Sequence, residues 1–258
     1  MKKGLLNILG IRVHPVNIPE SLSKIARLIE NRQKGYITVT GVHGIMESQR
    51  SDTVKVAHNA SFLTVPDGMP LVYIGRAVGY KDMRRCYGPD LMLAIMEASV
   101  QNNYTHFFYG GKDGVAEALK QAMEERFPGV RIVGTFTPPF RPLDENEKTA
   151  LITRVERLKP NIIWVGLSTP KQELFMHEYM PLLAANLMVG VGAAFDFHTG
   201  QIKSAPPWMQ KIALEWFYRL LQEPRRLWRR YLINNPLFIW NFTLQQLGLK
   251  KYELKELA

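Results

Sequence analysis

The stretch THFFYGGKDGVAEALKQAMEERF, residues 105–127, decides the fold. Aromatic residues open it, a pair of glycines follows, and the remainder has the apolar spacing of a helix, which predicts a strand, a turn and a helix. The same order recurs from about residue 35 to residue 200. Short apolar strands that alternate with helices are typical of a parallel sheet covered by helices on both faces. We therefore predict an α/β fold, and such sheets bind ligands at the carboxyl ends of their strands.

Other segments give more local predictions. Residues 1–16 have too short an apolar stretch for a signal peptide and predict a first strand or hairpin. GYITVTGVHG, residues 35–44, predicts a strand, and residues 45–60 predict a helix or a helix pair. Residues 185–200 predict a strand that opens into a glycine-containing loop. No apolar window reaches the roughly 18 residues of a transmembrane helix, so any membrane contact is expected to be peripheral.

The net charge of the chain limits the kinds of partner that the protein is expected to bind. The chain has 258 residues, a formal net charge of +10 and a sequence pI near 9.7. This excess favours an anionic partner such as nucleic acid, anionic lipid or a phosphorylated substrate. A hydrophobic fraction of 46% is enough for a large core and argues against global disorder. The single cysteine, Cys86, allows no disulfide within the chain, which fits a reducing compartment.

The composition changes after about residue 203, so we divide the chain into an α/β core, residues 1–202, and a basic, aromatic-rich helical appendage, residues 203–258. Seven Lys or Arg and only two Glu lie between residues 203 and 231. A basic amphipathic helix favours a membrane surface, and arginines also pair with phosphate. Apolar residues at helical spacing predict one helix here, and Pro224 either ends that helix or starts another. These apolar residues are Trp208, Met209, Ile212, Ala213, Trp216, Phe217 and Leu220.

Three loops after predicted strands carry candidate site residues. Asp67 follows an apolar run, where α/β enzymes place catalytic groups, although Asp-Gly sequences also favour turns and helix caps. Gly110 and Gly111 precede a helix whose N–H groups can hold phosphate, although tight packing explains the glycines equally well. Lys171 and Gln172 suit a helix start, but the amide of Gln172 could also hydrogen-bond a sugar or a base.

No metal or cofactor site is predicted from the sequence. The six histidines are scattered, Asp-x-Asp is absent, and one cysteine is too few for a Cys-rich zinc site. The chain also contains no Walker A sequence and no Gly-x-Ser-x-Gly elbow.

Six stretches resemble the WecG/TagA/CpsF family of bacterial glycosyltransferases. Each is a weak signal alone, but they occur in order along nearly the whole chain, and the ordered set is specific. They are VPDGMPLVYIGR (65–76), RRCYGPDLM (84–92), FFYGGKDGVAEAL (107–119), IIWVGLSTPKQE (162–173), VGVGAAFDFHTGQIKSAPPWMQ (189–210) and EWFYRLLQEPRRLWRRY (215–231).

The resemblance implies a Rossmann-like core and an appendage that reaches the membrane and completes the site. It implies inverting transfer of a hexose or N-acetylhexosamine from a UDP-sugar to a saccharide on polyprenyl diphosphate, without a metal or other cofactor. The products of such enzymes belong to teichoic acid, exopolysaccharide and related cell-surface polymers. The expected partners are therefore a UDP-sugar, the lipid-linked acceptor and the anionic inner face of the bacterial cell membrane, reached from the cytoplasm. A homo-oligomer is possible, and nucleic acid is not expected as a partner.

The resemblance also assigns roles to residues. It makes Asp67 the catalytic base and Gln172 a site glutamine, and it matches Thr40, with Thr38 as second choice, to a site threonine. It implies that Arg219, Arg226 and Arg229 bind the diphosphate.

One departure from the family pattern affects the donor sugar. Val42 stands where many members have an asparagine, and His43 is adjacent. We therefore leave both an N-acetylmannosamine-type and a glucose-type donor open, and we include His43 among the candidate site residues.

Two other functions fit parts of the sequence. The net charge and the interleaved aromatic residues suit a nucleic-acid-binding module, although no recognised motif accompanies them. The glycine turn at residues 110–114 suits a dinucleotide-dependent oxidoreductase, although the full glycine fingerprint is missing.

Overall fold

The computed structural model describes residues 4–206, 208–209 and 213–254. It contains a six-stranded sheet in which all neighbouring strands are parallel, in the order β4-β3-β8-β7-β5-β6. The strands are β3 (Gly35–Thr40), β4 (Leu63–Pro66), β5 (Thr105–Gly110), β6 (Arg131–Phe136), β7 (Ile162–Gly166) and β8 (Leu187–Gly190). The α/β prediction is confirmed.

Helices connect these strands and cover both faces of the sheet. Within the described ranges they are α1 (Ile18–Glu30), α2 (Val42–Arg50), α3 (Asp52–Asn59), α4 (Met69–Ala77), α5 (Gly88–Asn102), α6 (Val115–Arg126), α7 (Glu145–Leu158), α8 (Lys171–Tyr179), α9 (Ala194–His198), α10 (Glu215–Gln222), α11 (Pro224–Trp228) and α12 (Asn234–Gln246). A π-helical turn, Arg229–Ile233, joins α11 to α12.

The core lies on both faces of the sheet because neighbouring residues of a strand point in opposite directions. Phe107 and Phe108 of β5 are both fully buried, yet they belong to different apolar clusters. Phe108 packs in the cluster that includes Leu91 of α5, and Phe107 packs in the cluster that includes Val155 of α7. Such two-sided burial is typical of a parallel sheet, and it leaves the strand ends as the place for polar chemistry.

Two boundaries differ from the sequence predictions. The strand predicted for residues 35–44 ends at Thr40, because Gly41 caps α2 in an extended conformation and Ile45 and Met46 then form the buried face of that helix. Residues 185–200 contain β8 and the short helix α9 rather than a strand and a loop. Residues 45–60 do hold the predicted helix pair, in which Ser51 separates α2 from α3 and accepts a hydrogen bond from Val54 N–H.

The single helix predicted for the appendage from residue 208 to residue 220 is wrong. Ala213 has a φ of 62°, in the left-handed region, and the next helix begins only at Glu215. Ile212 lies outside the described residues. Pro224 follows the end of α10 and opens α11, because its fixed φ and missing N–H suit the first turn of a helix.

The end of the appendage packs against an N-terminal hairpin formed by β1 (Leu6–Ile8) and β2 (Ile11–Val13). This hairpin confirms the strand or hairpin predicted for residues 1–16. Phe238 of α12 is buried in the same apolar cluster as Ile8 and Met83. Gln245 also accepts a hydrogen bond from Leu9 N–H at 2.9 Å. The C-terminal end of the appendage therefore lies against the core. None of the described helices has the length and apolar content to cross a bilayer.

Candidate active site

Two cavities meet at the carboxyl edge of the sheet. The first cavity has a volume of about 550 Å³ and the second about 330 Å³. Core residues of the first cavity include Val39, Gly166, Gln172, Val191 and Asp196. Core residues of the second include Gly41, Gly68, Met69, Tyr73 and Arg85. The appendage closes both, and five residues line both cavities: His43, Asp67, Tyr87, Arg219 and Arg230.

Asp67 is fixed where the two cavities join. Its backbone N–H donates to the carbonyl oxygen of Thr40 at 2.9 Å, which extends the pairing of β4 with β3 by one residue. Its carboxylate oxygen Oδ1 accepts from Gly88 N–H at 3.2 Å, and its carbonyl oxygen accepts from Arg85 Nε at 2.5 Å. These contacts hold one carboxylate at a strand end, on the wall of both cavities.

The surroundings of Asp67 favour its neutral form. Burial raises the pKa of this carboxyl group, and the nearby Glu215 adds to the rise, while Arg85, Arg230 and the Gly88 N–H oppose it. A carboxylate with a raised pKa accepts a proton more readily than an ordinary surface carboxylate. Asp67 is therefore suited to act as a general base.

Several helices begin at this edge without a side-chain cap. The N-cap residues of α2, α4, α5 and α8 accept no hydrogen bond through their side chains, whereas those of α1, α3 and α7 do. In α5 the first N–H, that of Gly88, donates to Asp67 instead. Uncapped N–H groups and the helix dipole favour anions. Residues at these four N-termini line one cavity or the other, so the core alone already offers donors to a negatively charged ligand.

The appendage adds cations to the first cavity, where five arginines and three carboxylates form part of the wall. Arg219, Arg226 and Arg229, the three arginines named from the sequence, all line it. Arg219 is largely buried and stacks on the ring of Phe197, whereas Arg226 is exposed and paired with Glu223 at 2.6 Å. The net positive wall suits a phosphorylated ligand.

Gln172 offers an acceptor to the first cavity. Its amide nitrogen donates to Glu173 Oε1 at 3.0 Å, which orients the amide. The other amide atom, Oε1, is buried without a hydrogen-bond partner, although the side chain lines the cavity. An oriented acceptor of this kind suits an N–H or O–H group of a ligand.

His43 lines both cavities but is held by protein groups. Asn234 Nδ2 of α12 donates to His43 Nδ1 at 3.1 Å, and the backbone of Thr169 also hydrogen-bonds the ring. Burial, with the neighbouring Arg230 and Arg50, lowers the pKa of His43 to about 3. His43 is therefore neutral, and it connects α2 to the appendage.

Four other residues predicted from the sequence do not line either cavity. Thr40 is buried and hydrogen-bonds His58 at 3.0 Å, so it contributes to the site only through its backbone contact with Asp67. Lys171 is exposed and lies over the ring of Phe140. Gly110 and Gly111 pack against Gly166: Gly111 N–H donates to its carbonyl oxygen, and a Cβ at Gly110 would lie 2.7 Å from its backbone. These glycines serve close strand packing.

Four residues of the cavity walls, among others, were not predicted from the sequence: Arg85, Asp196, Glu215 and Asn234. Arg85 and Glu215 come together from positions 130 residues apart, and no local pattern predicts such a pair. Arg230 belongs to the basic stretch whose arginines were predicted to pair with phosphate, although no separate role was assigned to it. Among the described residues, no group of three or more His, Cys, Asp or Glu side chains could hold a metal ion.

Comparison with known proteins assigns the family. A model of the glycosyl transferase WecG/TagA/CpsF family matches residues 6–252. The chain belongs to this family. It is a glycosyltransferase, and the resemblance seen in the six sequence stretches is confirmed.

Two relatives of this glycosyltransferase carry the same curated name, N-acetylglucosaminyldiphosphoundecaprenol N-acetyl-beta-D-mannosaminyltransferase. The one from Bacillus subtilis (strain 168) is 28% identical over 225 residues, which is 84% of this chain and 85% of the relative. The one from Bacillus spizizenii (strain ATCC 23059 / NRRL B-14472 / W23) is 31% identical over 206 residues, which is 80% of this chain and 77% of the relative.

Proposed function

We propose that this glycosyltransferase moves a hexose or N-acetylhexosamine from a UDP-sugar to a saccharide linked to polyprenyl diphosphate, with inversion and without a metal. The observation that carries the proposal is the position of Asp67 on the wall of two joined cavities, beside Arg219 and Arg230. A transfer between two substrates needs a proton acceptor at the place where the acceptor hydroxyl meets the anomeric carbon of the donor. The curated names of the two relatives, each with a diphosphoundecaprenol-linked acceptor, support the acceptor class.

In the proposed reaction Asp67 accepts the proton of the acceptor hydroxyl. The hydroxyl oxygen forms a bond to the anomeric carbon from the face opposite the leaving group, and the bond from that carbon to the diphosphate oxygen breaks. UDP leaves with the electron pair of that bond, and the configuration of the anomeric carbon inverts. General-base assistance of this kind typically contributes about 10²–10⁴ in rate.

Fixed positive charge stabilises the leaving diphosphate in this mechanism. Arg219, Arg226 and Arg229 line the first cavity, and uncapped helix N-termini lie beside them. Pre-positioned cations and N–H dipoles stabilise developing negative charge without reorganisation. They take the place that a divalent metal has in many transferases of nucleotide sugars.

The donor sugar stays open between the N-acetylmannosamine type and the glucose type. The relatives are named for N-acetylmannosamine, which favours the first. Val42, however, lies beside the second cavity where many family members have an asparagine, and His43 is engaged by Asn234 and Thr169. A panel of UDP-sugars decides between the two types.

We also propose that the appendage rests on an anionic membrane surface. Large apolar side chains along α10 to α12 are exposed, including Leu221 at 65% and Trp240 at 63% of their full exposure. Basic side chains near such residues add attraction to anionic lipid of about 1 kcal/mol each. This arrangement suits an enzyme whose acceptor is a lipid of the inner face of the bacterial membrane.

The test is thermal stabilisation followed by a transfer assay. UDP and one UDP-sugar should raise the melting temperature, because a ligand that binds only the folded state stabilises it. Transfer to a polyprenyl-diphosphate acceptor should persist in a chelator, and the product should have the inverted linkage by NMR. Stabilisation by NAD(H) or by nucleic acid, without any response to UDP, would instead support the oxidoreductase or the nucleic-acid-binding alternative.

A further inference from the structure

We infer that the second cavity is the acceptor subsite, which takes the diphosphate and the first apolar carbons of a polyprenyl-diphosphate saccharide. This inference rests on the proposed function, because it assigns one of the two proposed substrates to one of the two cavities.

The walls of the second cavity are amphipathic. Apolar side chains form one part of the wall, namely Met69, Pro70, Tyr73, Trp216 and Tyr231. Cationic side chains form another part, namely Arg85, Arg219 and Arg230. A UDP-sugar is polar throughout, whereas a polyprenyl-diphosphate saccharide has a charged centre and an apolar chain. The cavity therefore matches the acceptor better than the donor.

Arg230 is an arginine of this cavity that forms no ion pair with the described residues. Arg85 is already paired with Glu215, but Arg230 has no ion pair with any carboxylate in the described part of the chain. Its Nε is buried without a hydrogen-bond partner. Arg230 is half-buried and lies near the Asp67 carboxyl group, and an anionic ligand would add a counter-charge to this arginine. Arg230 lines both cavities, so a diphosphate in the second cavity lies within its reach.

The orientation of the Asp67 carboxylate supports the same assignment. Oδ1 is held by Gly88 N–H, and Gly88 lines the first cavity. Oδ2 lies on the side of Gly41, which lines only the second cavity: a Cβ built on Gly41 would be 3.9 Å from Oδ2. The base must face the acceptor hydroxyl, so the acceptor enters from the second cavity.

The first cavity is left for the donor. It adjoins the carboxyl ends of β3, β7 and β8 through Val39, Gly166 and Val191. In open α/β sheets, nucleotides bind at this edge. Tyr73 lines only the second cavity and is 51% exposed, so we place the exit of the lipid chain beside Tyr73.

The experiment separates the two subsites by kinetics and binding. The acceptor probe is N-acetylglucosamine joined through a diphosphate to geraniol, and the donor probe is UDP. Tyr73→Ser should raise the KM for the geranyl acceptor about tenfold, the loss expected for one well-packed aromatic contact, without changing the stabilisation by UDP.

Gly41→Ala tests the carboxylate orientation. Its added Cβ has only ordinary contacts, the nearest at 3.6 Å, so the variant should fold. It should lower kcat with the geranyl acceptor about tenfold by crowding the space beside Oδ2, again with normal stabilisation by UDP. Gln172→Ala in the first cavity is the matched control, and it should show the reverse pattern of weak UDP binding and an unchanged acceptor KM.

Two results would overturn the inference while leaving the proposed function intact. One is an active enzyme in which Tyr73→Ser and Gly41→Ala leave the acceptor kinetics unchanged. The other is a loss of UDP stabilisation in those variants as large as in Gln172→Ala. If the wild type neither transfers nor responds to UDP, the proposed function fails, and stabilisation by the geranyl compound alone, lost in Tyr73→Ser, would still support the second cavity as its site.

Discussion

Arg85 Nη1 lies 2.8 Å from Glu215 Oε2, and this ion pair joins the core to the first helix of the appendage. The same guanidinium donates through Nε to the carbonyl oxygen of Asp67 and lies 4.1 Å from the ring centre of Tyr87. One side chain therefore contacts the proposed base, a wall residue of both cavities and the appendage. Docking of the appendage and placement of the base depend on the same arginine.

Removing the charge of Glu215 should destabilise the protein. Glu215→Gln leaves the largely buried Arg85 without its counter-ion, and we expect a loss of roughly 1–3 kcal/mol in the free energy of unfolding, measured by urea denaturation. The control is Glu156→Gln, which breaks a contact with the exposed Lys159 and should cost less than about 1 kcal/mol. Equal losses of unfolding free energy in the two variants would show that the Arg85–Glu215 ion pair stabilises the protein no more than an exposed ion pair does.

Asp67→Asn should abolish turnover and raise stability. Loss of a general base lowers kcat by about 10²–10⁴, while stabilisation by UDP should persist. Because the pKa of Asp67 is raised in the fold, stability is lost as the pH rises from the ordinary pKa of 3.8 to the raised pKa, and asparagine removes this loss. The gain in melting temperature should be largest near neutral pH and should shrink as the pH falls towards 4. A variant that melts lower at neutral pH contradicts this account.

The fold was largely predictable because apolar runs and glycine turns are local signals. The order of strands and helices, the helix pair after residue 45 and the position of Asp67 at a strand end all follow from short stretches. The break at Ala213 was not predictable, because its positive φ contradicts a continuous helical apolar pattern. The roles of Arg85 and Glu215 were hidden for a different reason: they depend on a tertiary contact between distant segments. Gly110 and Gly111 pack against Gly166 and line neither cavity, and their role in binding phosphate stays a prediction.

The pH dependence of transfer should report Asp67 and not His43. Activity requires the carboxylate, so it should fall as the pH falls through the pKa of Asp67, which burial raises above the ordinary value of 3.8. His43 has a pKa of about 3 and stays neutral between about pH 5 and 8, where an ordinary histidine titrates. The acid limb of kcat/KM should therefore keep its midpoint in His43→Gln, even where that variant is slower. A limb that moves in this variant would assign the titration to His43.

Membrane binding should depend on the exposed apolar side chains of the appendage. Leu221→Ser and Trp240→Ser together should weaken sedimentation with vesicles of anionic phospholipid by tenfold or more, since full burial of one such side chain is worth about 1.5–3 kcal/mol. Stabilisation by UDP should not change. Leu182→Ser is the matched control: this leucine is 52% exposed but precedes β8, so it lies towards the opposite edge of the sheet. Comparable losses in the control would point to a general loss of solubility rather than to a docking face.

The glycine that ends β5 gives a last prediction, about stability. Gly110 has a φ of 123°, and a Cβ there would lie 2.7 Å from the backbone of Gly166, so Gly110→Ala combines backbone strain with a clash that no side-chain movement relieves. We expect a loss of about 3 kcal/mol or more in urea denaturation. Gly114→Ala is the control, because its φ is 80° but nothing lies within 4 Å of the added Cβ, so only about 1 kcal/mol of strain applies. If both variants fold normally and Gly110→Ala alone loses the response to UDP, these glycines bind phosphate after all.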